Sequence, residues 1–175
     1  MQRILLALDG SDHAEKALAL ASDLASKYGA ELLLLNVLSD KRLSDAERQM
    51  AEVEYLDELA SAADISGVLK ERNTRTAVQR LLRGSNALTH RFRETLGKRL
   101  TEAASRKARQ SGVAAVETLL ADGDPAETIL RVAAERQADM IVMGSRGLGA
   151  AKGLLMGSVS LKVVQLAECP CVTVK

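Results

Sequence analysis

The chain has 175 residues, 47% hydrophobic and 27% charged, which suits one folded domain with a full core. The formal net charge is +1, only 2% of residues are aromatic, and no apolar run reaches the ~20 residues of a membrane span. A transmembrane segment is therefore excluded, base recognition by stacked aromatic platforms is disfavoured, and, with no basic-then-apolar leader, a cytoplasmic protein is expected.

Arg3 to Asp9 opens the chain as a short, nearly continuous apolar run, Ile4-Leu5-Leu6-Ala7-Leu8, ending at Asp9-Gly10-Ser11. Such a run suits a strand buried on both faces of a parallel sheet, and places Asp9 at its carboxyl end, where open α/β sheets bind ligands. A helix is expected from Ser11 or Asp12, with Glu15 as a capping-box partner three residues after Asp12. Ala14, Ala17, Leu18, Ala21, Leu24 and Ala25 repeat at helical spacing, and Gly29 ends the helix. Glu31 to Leu38 is the second strand.

Beyond it, Ser44 to Ala63 reads as a helix with Met50, Val53, Leu56 and Leu59 on or near one face. A further helical face runs from Leu88 through Phe92, Leu96 and Leu100 toward Gly112, and a third strand is expected over Val113–Leu120. Asp124-Pro125-Ala126-Glu127 is a strong helix start, Asp as N-cap and Pro at the first helical position. Asp139–Met143 is the fourth strand, Ser158–Ala167 the last helix and Cys171–Val174 the last strand. Cys169 and Cys171 flank Pro170; this spacing is neither a redox C-x-x-C nor a zinc half-site, and both are read as small buried hydrophobes. His13 and His90 lack companions at ligand spacing, so no metal site is expected.

Between the fourth strand and the last helix lies Gly144-Ser145-Arg146-Gly147, followed at a distance by Gly157-Ser158. The first turn of a helix has backbone N–H groups without intrahelical partners, and the helix dipole adds partial positive charge there. Glycines let the backbone approach an anion closely. Gly144, Gly147 and Gly157 are therefore the positions where a missing side chain should matter most. The amides of Gly157, Ser158 and Val159, the hydroxyls of Ser158 and Ser160, and the Arg146 cation could together hold a di- or triphosphate. The pattern is neither a P-loop nor a dinucleotide fingerprint, because G-x4-G-K-[ST] is missing and Lys152 stands where a third glycine would be.

The spacing G-x2-G-x9-G-S, Gly144, Gly147, Gly157, Ser158, resembles the ATP-binding branch of the universal stress protein family. The opening Arg3–Ser11, the strand end Asn36-Val37, the turn Gly123-Asp124-Pro125 and the ending P-C-V-T-V-K share the resemblance. It implies a doubly wound five-stranded parallel sheet of order 3-2-1-4-5 with helices on both faces, with Asp9 and Gly144 facing each other at the crevice. Carried over residue by residue, it puts Asp9 at the ribose of ATP, the backbone of Val37 at the adenine, and Met143 and Gly144 below the ribose. Arg146, Gly147, Gly157, Ser158, Val159 and Ser160 would hold the phosphates. The ligand implied is ATP, ADP or AMP, with Mg²⁺ or Mn²⁺ carried on the phosphates and no dedicated protein cage. The family usually dimerises through its last strand, so a homodimer is expected. No general base is evident, so little or no turnover is expected, at most slow hydrolysis or self-phosphorylation on Ser158 or Ser160. An alternative is an ATP-pyrophosphatase-like adenylating enzyme, for which Asp9-Gly10-Ser11-Asp12 is only a fragment of the required loop.

The middle is poorly matched, and residues 41–85 read as a helical, partly basic insertion in a single domain spanning 1–175. From Lys70 to Gln110 there are 12 Lys or Arg and 3 Glu, of chain totals of 24 and 23. A solvated face or a contact with acidic parts of the same protein accounts for such a run. The functional alternative is a partner-binding adaptor whose basic segment docks an acidic protein, an anionic membrane or nucleic acid.

Overall fold

The structure, a computed structural model, describes residues 1–39, 86–148 and 155–175. By contact the chain divides into two compact units, Met1–Asp40 with Gly97–Lys175, and Lys41–Leu96. The first carries the sheet; in the second, the described residues are the opening turns of one helix. The expected helix over Ser44–Ala63 and the insertion over 41–85 lie outside the described residues.

Five parallel strands, β1 (Arg3–Ala7), β2 (Glu31–Leu38), β3 (Val116–Asp122), β4 (Met140–Gly144) and β5 (Cys171–Val174), stand in the order β3-β2-β1-β4-β5. This is the doubly wound order expected, with the winding reversing between β1 and β4. The helices described are α1 (Asp12–Tyr28), α2 (Asn86–Gln110), α3 (Pro125–Glu135) and α4 (Ser158–Leu166). None is long and apolar enough to cross a membrane.

The apolar runs have the composition they do because each central strand is covered twice. Ile4, Leu6, Leu32, Leu34 and Val142 point to the face packed by Ala14, Ala17, Ala21 and Ala25 of α1 and Ala104 and Ala108 of α2. Their odd-numbered neighbours Leu5, Leu33, Leu35 and Ile141, with Met143, point to the other face, against Ile129, Val132 and Ala133 of α3 and Val163 of α4. Period-two alternation thus feeds two cores.

The helix ends follow local chemistry. Ser11 is the N-cap of α1, its hydroxyl accepting from the Ala14 amide, and Gly29 closes the helix in the left-handed conformation at φ 62°. The capping box expected between Asp12 and Glu15 does not form: the cap lies one residue earlier, and Glu15 pairs with Lys107 instead. Asp124 caps α3 as predicted, accepting from the Ala126 and Glu127 amides with Pro125 in the first turn. The third strand begins at Val116, three residues later than expected. The intervening residues close α2, with Gly112 at φ 90° and the Val113 amide donating to Ala108 O at 3.1 Å. The fourth begins at Met140, because Asp139 turns its carboxylate onto the Gln2 and Arg3 amides at the start of β1.

Candidate functional site

The carboxyl ends of β1 and β4 part at the switch point, and the loops leaving them build one site. β1 ends at Ala7, and Gly10, at φ 81°, turns the chain toward α1. Immediately before that turn, Asp9 Oδ1 accepts from the Ser11 amide at 3.0 Å and the Ser11 hydroxyl at 2.7 Å. Its other oxygen, Oδ2, accepts from the Leu148 amide at 3.2 Å, joining the end of β1 to the glycine loop after β4. A carboxylate offers about four lone-pair positions, and three are engaged, so the exposed Asp9 keeps capacity for another hydroxyl.

Two of the three key glycines are required by the protein itself. A Cβ on Gly144 would lie 2.9 Å from His13 Cβ and 3.0 Å from the Ala14 amide nitrogen, so α1 could not rest on the end of β4. A Cβ on Gly147 would overlap Asp9 Oδ2. Gly157 differs from the expectation. Its backbone, φ −80° and ψ 163°, suits any residue, and a Cβ there would meet only ordinary contacts at 3.7 Å. The described residues would therefore accept a methyl group at Gly157.

Gly157 is also the N-cap of α4, and it contributes no side-chain cap. Ser158 is the first helical residue and is exposed. Because Leu161 N donates to Gly157 O, the amides of Ser158, Val159 and Ser160 precede the first intrahelical bond. Among the described residues they have no hydrogen-bond partner. Ser160 corrects a second expectation: its hydroxyl is buried and donates to Ser145 O at 2.7 Å and Gly157 O at 3.0 Å, so it offers an anion its amide and not its hydroxyl. The Gly157 amide is likewise spent on Ser145 O, at 2.8 Å. Arg146 is half-buried, and its guanidinium forms no ion pair with a described residue. Met143 is buried in the core under the site.

Val37 lies across β1 from this loop. Along β2, Leu35 O accepts from Leu8 N, whereas Leu32 N and Leu38 O are engaged on the β3 side. Successive residues of a strand point their main-chain groups to opposite neighbours, so Val37 turns both N–H and C=O toward β1. β1 has ended there, and both groups are unpartnered among the described residues. One donor beside one acceptor, on one edge, is what remains.

Residues 1–175 match the universal stress protein family. The chain belongs to that family. It is 34% identical over 173 residues to universal stress protein YxiE of Bacillus subtilis (strain 168), covering 99% of this chain and 98% of that one. In fold it is similar to the universal stress protein UspA from Lactobacillus plantarum, with a TM-score of 0.64 at 22% identity over 99% and 97% of the two chains. It is also similar to the universal stress protein from Archaeoglobus fulgidus solved in complex with dAMP, with a TM-score of 0.58 at 21% identity over 100% and 98%.

Three contributors to this universal stress protein site are not legible from motif spacing. His13 Nδ1 lies 3.0 Å from the hydroxyl of the buried Ser145, fastening α1 to the end of β4 across 132 positions of sequence. The Leu148 amide reaches Asp9 across 139. Asn36 Nδ2 donates to Leu8 O at 2.8 Å. Only the last left a signal: an amide in the otherwise apolar run Leu32-Leu33-Leu34-Leu35-Asn36-Val37-Leu38. Among the described residues, no group of three or more His, Cys, Asp or Glu could hold a metal. Burial pushes the thiols of Cys169 and Cys171 up, away from nucleophilic thiolate, in keeping with their reading as small hydrophobes.

Proposed function

We propose that this universal stress protein binds an adenine nucleotide, ATP with Mg²⁺ or Mn²⁺ on its phosphates, and works by occupancy with little or no turnover. The observation that carries the reading is the group of three amides, Ser158, Val159 and Ser160, at the start of α4, unpartnered among the described residues and preceded by Gly157, which adds no side chain beside them. A phosphate placed there meets three donors and the positive end of a helix dipole, and Arg146 supplies the remaining charge. Gly147 brings the loop against Asp9, whose spare lone pair suits a ribose hydroxyl. Val37 offers N–H and C=O side by side, complementary to adenine N1 and the 6-amino group. The dAMP complex of the Archaeoglobus fulgidus relative supports an adenine nucleotide as the ligand.

The divalent ion would ride on the phosphates, because Mg²⁺ keeps several waters and needs few protein ligands. Little or no turnover belongs to the same proposal, in which Asp9, already accepting hydrogen bonds from Ser11 and Leu148, serves the ribose. The adenylating-enzyme reading is disfavoured because the turn after β1 carries only a fragment of the loop it requires, and its Ser11 is already committed. The Ser11 N–H is spent on Asp9, and the Ser11 hydroxyl is spent on capping α1.

Assembly as a homodimer through β5 belongs to the same reading. Its outer edge is unpaired among the described residues, and α4 exposes Leu161 and Val164 at 46% and 43%. A cytoplasmic location goes with it. The test is calorimetric titration with ATP and Mg²⁺, run beside a phosphate-release assay. Saturable binding without release above the buffer rate is expected. No heat at millimolar ATP would end the proposal, and release on a timescale of seconds would end its claim of low turnover.

A further inference from the structure

Asn36 does not belong in its strand by composition. It sits on the face of β2 that Leu32 and Leu34 give to the core under α1 and α2, where an unpaired amide is costly. Its Nδ2 donates to Leu8 O at 2.8 Å, one step beyond the last main-chain bond between β1 and β2, Leu8 N to Leu35 O. In a parallel ladder the following step would carry the Val37 N–H to that same Leu8 carbonyl. The Asn36 amide occupies it instead, and Val37 is left with both main-chain groups unpartnered among the described residues.

The amide is also held from behind. Gly97 of α2 brings its backbone so close that a Cβ there would lie 2.6 Å from Asn36 Oδ1 and 2.9 Å from Leu120 Cδ2. A helix with any other residue at 97 would have to stand off, or push the amide away from Leu8. Gly97, Asn36 and the Leu8 carbonyl thus form a short chain of contacts ending at the edge of the site.

We infer that Asn36 is a positioning residue that sets base specificity: by taking the Leu8 carbonyl it stops β1 and β2 from zipping further, and so keeps the Val37 N–H and C=O open to a purine. This rests on the nucleotide reading above and goes beyond it. Adenine offers an acceptor at N1 beside a donor at its 6-amino group, complementary to Val37. Hypoxanthine offers a donor at N1 beside an acceptor at O6, which sets donor against donor and acceptor against acceptor. With the Val37 edge open, the site distinguishes the two bases; with Val37 drawn onto Leu8, it holds the phosphates and ribose but not the base edge.

The experiment compares ATP, ITP and inorganic tripolyphosphate, each with Mg²⁺, on the full chain and on Asn36→Asp and Asn36→Ala. Asp keeps the shape and loses the donor; Ala removes the donor without adding charge, and covers the case in which the new carboxylate prevents folding. Two mismatched hydrogen bonds on a base edge should give the natural chain a preference for ATP over ITP of about tenfold or more. In both variants that preference should collapse to within about threefold through loss of ATP affinity, while tripolyphosphate binds as before. A merely structural role would weaken all three ligands together and leave the ratio intact, and that outcome overturns the role of Asn36. A natural chain that binds ATP and ITP alike, or neither, overturns the reading of Val37 as the base edge and takes this inference with it.

Discussion

Gly147→Ala separates the fold from the site. A methyl at this position would overlap Asp9 Oδ2, so the carboxylate must swing or the loop must lift, and either breaks the 3.2 Å bond from the Leu148 amide. A hydrogen bond to a charged group contributes about 1.5–3 kcal/mol where water cannot replace it. Asp9 is exposed, and in the free protein water makes good most of the loss. The stability cost should therefore stay under about 1 kcal/mol, a fall in Tm of at most about 2–4 °C. In the proposed nucleotide complex the ribose would displace that water, and the full term would apply. ATP should bind about 10- to 100-fold more weakly, while tripolyphosphate, held by the Ser158–Ser160 amides, should change by less than about threefold. Calorimetric titration of both ligands, with a thermal melt of each protein, measures all of this. A Gly147→Ala variant that binds ATP as tightly as the natural chain would refute the placement of Asp9 at the ribose.

The other two glycines should respond in opposite ways. Gly144→Ala drives a methyl into the backbone of α1 at His13 and Ala14 and should cost about 1–3 kcal/mol of stability, read as a lower Tm with or without nucleotide. Gly157→Ala should leave the melt within about 1 kcal/mol of the natural chain, so any loss of ATP affinity reports crowding of the ligand itself. Asp139 is held below the usual carboxylate range by hydrogen bonds from the Gln2 and Arg3 amides. Its contribution is therefore present above the ordinary carboxylate pKa and disappears as pH falls through its lower folded value. The stability difference between Asp139→Asn and the natural chain should accordingly be full at pH 7 and shrink once pH drops below about 4, as measured by denaturant unfolding across pH. Leu161→Glu places a charge on the exposed apolar face of α4, and light scattering should report a monomer; a dimer unchanged by it would remove α4 from the interface.

Much of the frame was legible because local chemistry and long-range packing agree. The runs Ile4–Leu8 and Leu32–Leu35 could be read as doubly covered strands, since no half-exposed strand carries so many consecutive apolar residues. Asp124-Pro125 marked a helix start because the N-cap and the first helical residue are both fixed by local chemistry. The displaced boundaries have one common origin. Val113 and Asp139 each look like the first residue of a strand, but each is taken by a neighbour's needs: closing α2 and tying the start of β1. Within the site, spacing located Gly144, Gly147 and the start of α4, but it could not divide labour among them. Whether a glycine is demanded by the protein or left for a ligand depends on what stands opposite. For Gly144 that is α1, for Gly147 it is Asp9, and for Gly157 no described atom comes closer than an ordinary contact. The partnership of His13 with Ser145 had no trace in the sequence, because neither residue type is unusual where it stands.

Ser145 gives its carbonyl to the Gly157 amide and the Ser160 hydroxyl while its own amide holds Val174 O. The two ends of the connection from β4 to α4 are thus riveted together by the folded protein before any ligand arrives. The start of α4 is therefore held against the end of β4 by main-chain bonds of the protein's own, so the direction in which its first amides point is fixed by the sheet and does not depend on a ligand.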